Sequence, residues 1–319
     1  MNRRRFVRST LTVPAAAALA PVEVSAATGD IPKRVFGKTG ERLTIIGQAG
    51  GRFPLCSFED AVAITRRAYD LGVNYFDNAH IYWGGRSEEA YGAALEPSMR
   101  KKVFLTTKTM SRRRAQAEAD LTLSLKRLKT DYVDLWQIHD VRTMADIEQI
   151  FSKGGAIEAL EAAKQAGRCR FIGFTGHHDP AMHVEMLQRY RDWDAILFPT
   201  HMADPSYLSF EKTVLPIAVE RGMGIQGMKA TANGKLLQSF NVADCLNYAL
   251  SLPIHCLAVG CTTIGQIEDD VRIARKFQPL TSQAMDALRQ KASALKGPAL
   301  EDWKKNTLTA ANVSVYLGG

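Results

Sequence analysis

No run of about 18 apolar residues occurs in this 319-residue chain, and its mean hydropathy is −0.15, so nothing reads as a membrane span. Cysteine is scarce and dispersed. Cys56, Cys169, Cys245, Cys256 and Cys261 include no Cys-x-x-Cys pair, which removes the spaced ligand sets of zinc and iron–sulfur sites. Their odd number argues against a complete disulfide framework, and Cys169 and Cys256 fall in or beside apolar runs, where a thiol serves as a small apolar side chain. A basic stripe interleaved with aromatics is also missing. The formal charge is +8, but the first 26 residues carry +3 of it and the remaining +5 is thinly spread, which speaks against nucleic-acid binding. The densest basic cluster, Arg112-Arg-Arg114, reads as the opening of a solvated helix. What is plentiful is apolar residue, at 46%, enough to bury a large core. No linker-like break divides it.

The N-terminus has its own character. Arg3 and Arg4 are followed by Phe6 and Arg8, then by a mildly apolar, alanine-rich run over 11–20 and by Val24-Ser-Ala26, a small-x-small pattern. This is the form of a twin-arginine export signal, with residues 1–26 removed and 27–319 as the mature chain. That route carries proteins already folded, which suits a chain that acquires a cofactor before it leaves. The expectation is therefore a periplasmic or otherwise exported protein that engages the twin-arginine machinery.

From residue 43 onward, apolar runs alternate with amphipathic segments, the pattern of βα units in a parallel sheet. Predicted strands cover 43–46, 73–76, 103–107, 133–138, 171–175, 195–198, 223–228 and 256–259. Predicted helices cover about 58–71, 87–95, a long stretch ending near 128, 156–166, a segment after Asp179-Pro180, 211–221, 242–250 and 264–277. Between the fourth strand and its helix lies a long loop. Gly72, Gly167 and Gly222 sit where helices should stop. Eight such units over about 240 residues match a closed (β/α)8 TIM barrel. Residues 34–43, with a Lys38-Thr-Gly40 turn, read as a β-hairpin able to plug its bottom. An extra helix over 282–294 and a tail of small and polar residues follow.

In such barrels the active site lies where strands exit. The second strand delivers Asp77, with Tyr82 in the loop beyond; the third ends on Lys108 and the fourth on His139. Polar groups at packed strand ends need partners, and these four can partner one another. A phenol with an ordinary pKa of about 10 is a poor proton donor at neutral pH. An ammonium about 4 Å away at an effective dielectric of 20 contributes about 4 kcal/mol toward ionising it. Asp77 would hold Lys108 charged and oriented, and His139 would hydrogen-bond a substrate oxygen.

These four residues, in this order and on these strand ends, resemble the Asp–Tyr–Lys–His tetrad of the aldo-keto reductase superfamily. Further likeness lies in Gly37-Lys-Thr-Gly40, Leu71-Gly-Val-Asn-Tyr-Phe-Asp77, Ser124-Leu-Lys-Arg-Leu128, Asp131-Tyr-Val-Asp-Leu135, Gly173-Phe-Thr-Gly-His177, Val214-Leu-Pro216 and Met228-Lys229. The resemblance implies an NADP or NAD cofactor across the barrel mouth, a small carbonyl or alcohol substrate, and Tyr82 as general acid/base. Phe53 and Trp83 would line the substrate side. It places cofactor contacts at Gln48, Ala49, Thr175, Gly176, Met228, Lys229, Gly260, Thr262, Thr263, Gln266 and Asp270. Several depart from the family pattern. Thr175-Gly176 stands where many members have Ser-Asn, and Leu197 where a glutamine is usual. Gly260 and Gln266 stand where NADPH-dependent members have a basic residue and an arginine, the natural phosphate clamp. Asp270 would meet the adenine edge, Lys229, Thr262 and Thr263 would compensate, and the departures lean toward NAD or a weakly held cofactor.

Three other readings compete. A metallohydrolase could draw on His139, His177, His178 and His201, but such barrels present His-x-His at the first strand end. Here that place holds Gln48-Ala-Gly50, so His177, His178 and His201 read as polar loop residues and no metal is expected. A Rossmann dehydrogenase would need G-x-G-x-x-G opening a helix, and Gly47-Gln-Ala-Gly-Gly51 does not supply it. A cofactor-binding sensor or regulatory subunit would keep fold and tetrad but turn over slowly.

Overall fold

The computed structural model describes residues 29–304. The export signal read at Arg3, Arg4 and Arg8, and the tail beyond residue 304, lie outside them. Among the described residues ten strands form two sheets. β1 (Lys33–Val35) and β2 (Arg42–Thr44) make an antiparallel hairpin. β3 (Ile46–Ala49), β4 (Tyr75–Asp77), β5 (Phe104–Thr109), β6 (Val133–Ile138), β7 (Cys169–Thr175), β8 (Ala195–Pro199), β9 (Gly224–Met228) and β10 (Cys256–Gly260) close into a parallel barrel, β10 pairing with β3. Helices cover the outside, including Phe58–Asp70, Arg86–Ala94, Arg114–Leu128, Ala156–Gln165 and Ile264–Arg275. The expected TIM barrel, hairpin and extra helix (Ser282–Ala292) are all present.

The hairpin does close the bottom. Phe36 is fully buried, edge-on to Phe104 at 5.5 Å, and shares a cluster with Leu43, Tyr75, Leu135 and Cys256. Full burial of such a ring stabilises by roughly 1.5–3 kcal/mol. Side chains at alternate strand positions share a face. The inward positions therefore climb from this apolar floor, through Asp77 and Thr106, to Lys108. Hydrogen bonds from Thr106 and Lys108 to Asp77 show that all three point into the barrel. Gly72, Gly167 and Gly222 take positive φ of 95°, 70° and 61°, as expected where helices hand over to strands.

Three expectations need correction. Leu43 and Thr44 belong to the hairpin; the first barrel strand begins only at Ile46. Asn74 Oδ1 accepts from the Thr44 amide at 2.8 Å and the Thr44 hydroxyl reaches Ile46 O at 2.7 Å, so the chain breaks inside one apolar run. The loop after β6 contains a helix, Met144–Phe151, started by a capping box between Thr143 and Asp146. The segment after the extra helix is not merely a polar tail. It folds back so that Leu300, Glu301, Trp303 and Lys304 are buried. Among the described residues no helix is long and apolar enough to cross a membrane, and all five cysteines are free.

Candidate active site

Asp77 closes β4 at the height of Thr106 in the neighbouring strand. Its Oδ1 accepts from the Thr106 hydroxyl at 2.8 Å and from Tyr75 Oη at 3.2 Å, and its Oδ2 from Lys108 Nζ at 2.7 Å. Lys108 donates also to Asn78 O at 2.6 Å and is 1% exposed. Burial lowers the Lys108 pKa, against the pull of Asp77. The ammonium lies 5.1 Å from the centre of the Tyr82 ring, and the His139 ring stands edge-on to Tyr82 at 5.5 Å. The four tetrad residues thus meet at one point of the barrel mouth. Burial, reinforced by Lys108, pushes the His139 imidazole well below its ordinary range. The neutral ring still offers one N–H to a substrate oxygen.

The tetrad is braced from outside. Arg112 donates to the carbonyls of Met110 (3.1 Å), His139 (2.9 Å) and Asp140 (2.9 Å) and pairs with Asp146 at 3.2 Å. Expected as part of a solvated triplet, it is instead a half-buried fork that fixes the loop carrying His139. Arg113 and Arg114 are exposed, as expected. Arg127 reaches His80 O at 3.2 Å, Gly84 O at 3.3 Å and the buried Glu88 at 3.4 Å. It thereby holds the Tyr82 loop, where Trp83 and Gly84 take φ of 53° and 60°.

The candidate cofactor positions divide. Ala49 and Gly260, paired neighbours at the ends of β3 and β10, and Met228 and Lys229 at the end of β9 reach the mouth. Burial brings the Lys229 ammonium down to about 8, with Asp140 opposing and Arg52 adding repulsion. Arg52 was not singled out in the sequence, which carries no local signal for it. Its Cγ lies against the place where a side chain at Gly260 would begin, so the aliphatic stem of an arginine from the segment after β3 fills that place. Among the described residues neither Arg52 nor Lys229 has a carboxylate within 4 Å. Two unneutralised cations at a barrel mouth fit the pyrophosphate of a nicotinamide dinucleotide.

Thr175 is buried, and a side chain at Gly176 would meet His183 and Val141 O at 2.8 Å, which is why no asparagine stands there. Gln48 is fully buried and accepts from the Tyr91 hydroxyl, with its amide on Ala49 O at 3.0 Å; its side chain is structural. Thr263 caps the helix Ile264–Arg275, and Gln266 Oε1 is engaged by Thr262 N at 2.7 Å. Asp270 is turned inward beside the Cys261 thiol at 3.4 Å, and burial raises its pKa to about 6. Phe53, expected on the substrate side, is fully buried edge-on to Tyr91. Trp83 is half-buried, with Arg86 5.0 Å over its ring. The histidines expected as loop residues are buried as well. His177 and His178 face Asp140, and His201 faces Glu301.

Comparison with known proteins agrees with this geometry. Residues 47–247 match the aldo/keto reductase family. The chain belongs to it. L-galactose dehydrogenase of Arabidopsis thaliana is 35% identical over 297 residues, covering 78% of this chain and 90% of that protein. Aldo-keto reductase YhdN of Bacillus subtilis is 31% identical over 173 residues, 50% of this chain and 48% of that one. Aldo-keto reductase AKR11C1 of Bacillus halodurans in its holo form superposes with a TM-score of 0.69 at 24% identity, covering 86% and 99% of the two chains; at that identity it speaks for the fold. As an aldo/keto reductase the protein is an oxidoreductase that works on carbonyl compounds with NAD(P)(H).

Proposed function

We propose that this aldo/keto reductase interconverts a small polyhydroxylated aldehyde or sugar with its redox partner, with Tyr82 as the proton carrier and NAD(H) as the preferred nucleotide. The observation that carries the reading is the Lys108 ammonium, fixed between Asp77 and Asn78 O and facing the Tyr82 ring. The nicotinamide supplies or takes the hydride when bound. Tyr82 gives its hydroxyl proton to the oxygen of a carbonyl being reduced, or takes it from an alcohol being oxidised. Lys108 favours the ionised phenol and Asp77 keeps Lys108 in place. His139, neutral, aligns the substrate oxygen. Arg52 and Lys229 would hold the pyrophosphate shared by both nucleotides. Gln266, which stands in the place of a clamp for the 2′-phosphate, already accepts from Thr262.

The substrate class is supported by two relatives. One is named L-galactose dehydrogenase; another, 29% identical over 196 residues, is named L-glyceraldehyde 3-phosphate reductase, of Escherichia coli. The test is a multiple-turnover panel of sugars, hydroxyaldehydes and simple aldehydes with each nucleotide. The expected outcome is a higher kcat/KM with NAD(H) and with hydroxylated substrates. A preference for NADP(H) would overturn the cofactor assignment, and binding without turnover on the whole panel would favour a sensor.

The export reading rests on Arg3, Arg4 and the pattern that follows them. A reductase working outside the cytoplasm has no nicotinamide pool to draw on. The nucleotide would then be loaded before export, retained, and recycled by paired alcohol and carbonyl substrates. Periplasmic material dialysed extensively should still carry nucleotide on mass analysis; its complete loss counts against the idea.

A further inference from the structure

Among the described residues two clusters of buried histidine and carboxylate lie outside the tetrad: Asp140, His177 and His178, and His201, Asp204 and Glu301. The second already contains its cation. Lys304 Nζ lies 2.7 Å from Asp204 and 2.5 Å from Glu301, so a metal would have to displace a buried ammonium. The first cluster holds no such group between its members. Asp140 Oδ2 is forked by Arg142, at 2.6 Å from Nε, while Oδ1 faces the two imidazoles, 3.4 Å from His177 Nε2 and 3.2 Å from His178 Nε2.

These separations suit a ligand set as well as a hydrogen-bonded one, and the directions of the groups favour the first. Donor atoms about 2.0–2.1 Å from a tetrahedral zinc stand about 3.3–3.4 Å from each other, close to what is found. Hydrogen bonds between the same groups would also need their directions aligned. Asp140 Oδ1 and His178 Nε2 are both buried with no hydrogen bond of acceptable geometry. A buried carboxylate oxygen without a donor costs on the order of 1–3 kcal/mol, a cost a cation between the three groups removes. Arg142 on the other oxygen is the type of outer partner that orients a ligating carboxylate.

We propose that Asp140, His177 and His178 form a binding site for a divalent transition ion of the zinc class. Two imidazoles and one carboxylate suit zinc or a neighbouring first-row ion rather than calcium or magnesium. Three protein ligands leave a fourth position for water or a ligand oxygen. The ion would tie the loop after β6, which begins with His139, to the loop after β7, which begins after Thr175. The site makes no use of the nicotinamide, so the proposal stands apart from the reductase reading.

The experiment uses the full chain without a polyhistidine tag, stripped with chelator, dialysed against micromolar zinc and analysed for metal. One zinc per chain is expected, lost in His178→Ala and His178→Gln and kept in His201→Ala at the other cluster. With cobalt(II) in place of zinc, the wild-type protein should show the strong visible bands of a four-coordinate centre. Failure of the wild-type protein to retain zinc overturns the site, as does equal retention by a folded His178 variant. Should neither variant fold, the cobalt spectrum decides, and absence of four-coordinate bands overturns it.

Discussion

Tyr82→Phe is expected to lower the rate of the chemical step by about 10²–10⁴-fold, the usual contribution of a positioned acid or base, while nucleotide affinity changes by no more than about three-fold, below 1 kcal/mol. The substitution removes one hydroxyl and keeps the ring. That ring packs between Gly51, whose side-chain position lies 3.4 Å from it, and the edge of His139, so the loop has no reason to move. Lys108→Met would be a poorer probe. It would strip Asp77 of its ammonium and leave a buried carboxylate to Thr106 and Tyr75 alone, mixing instability with lost chemistry. Because product release rather than chemistry limits many enzymes, the comparison belongs in single-turnover measurements. A Tyr82→Phe enzyme within about ten-fold of the parent would remove the phenol from the proton transfer.

The tetrad was legible because each member follows an apolar run whose direction and exit are readable, and strand exits converge by topology. What escaped lacked a local pattern. Arg112 stands beside two exposed arginines and differs from them only in what folds over it, the carbonyls of His139 and Asp140. Phe53 and Trp83 were alike as loop aromatics until Tyr91 covered the first. The break at Ile45 is invisible to hydrophobic periodicity, since both sides of it are buried. The helix Met144–Phe151 is a different case. Thr143-x-x-Asp146 ahead of Ile147 and Ile150 is a readable start signal, but the repeating βα pattern calls for no helix there. Contacts across a hundred residues, such as Lys304 with Asp204, have no signature in one sequence.

That last contact yields the second large effect. Lys304→Met is expected to destabilise the protein by about 3–5 kcal/mol at neutral pH, the usual cost of removing one partner from a buried charge network. Lys304 Nζ is held by Asp204 Oδ1 at 2.7 Å, Glu301 Oε1 at 2.5 Å and Tyr207 O at 2.7 Å, and none of the three side chains in the network is exposed. Without the ammonium, two carboxylates share a dry site. The pH dependence separates this from simple loss of packing. Burial works against ionisation of Glu301, but His201 and Lys304 overcome it and hold its pKa below the ordinary value. A depressed carboxylate contributes stability above its unfolded pKa and loses it as pH falls through the folded one. The parent therefore weakens in acid, whereas the variant gains by protonating the stranded pair, and the gap between them should narrow as pH falls through the carboxylate range. Urea unfolding at neutral and acid pH measures both terms. The segment can also undock locally, which would cap the global loss. Trp303, 5.0 Å from the Lys229 ammonium, would leave with it, so amide exchange at residues 300–304 should rise in either case. A gap below about 1 kcal/mol with unchanged exchange would mean that Lys304 does not hold this segment to the barrel mouth.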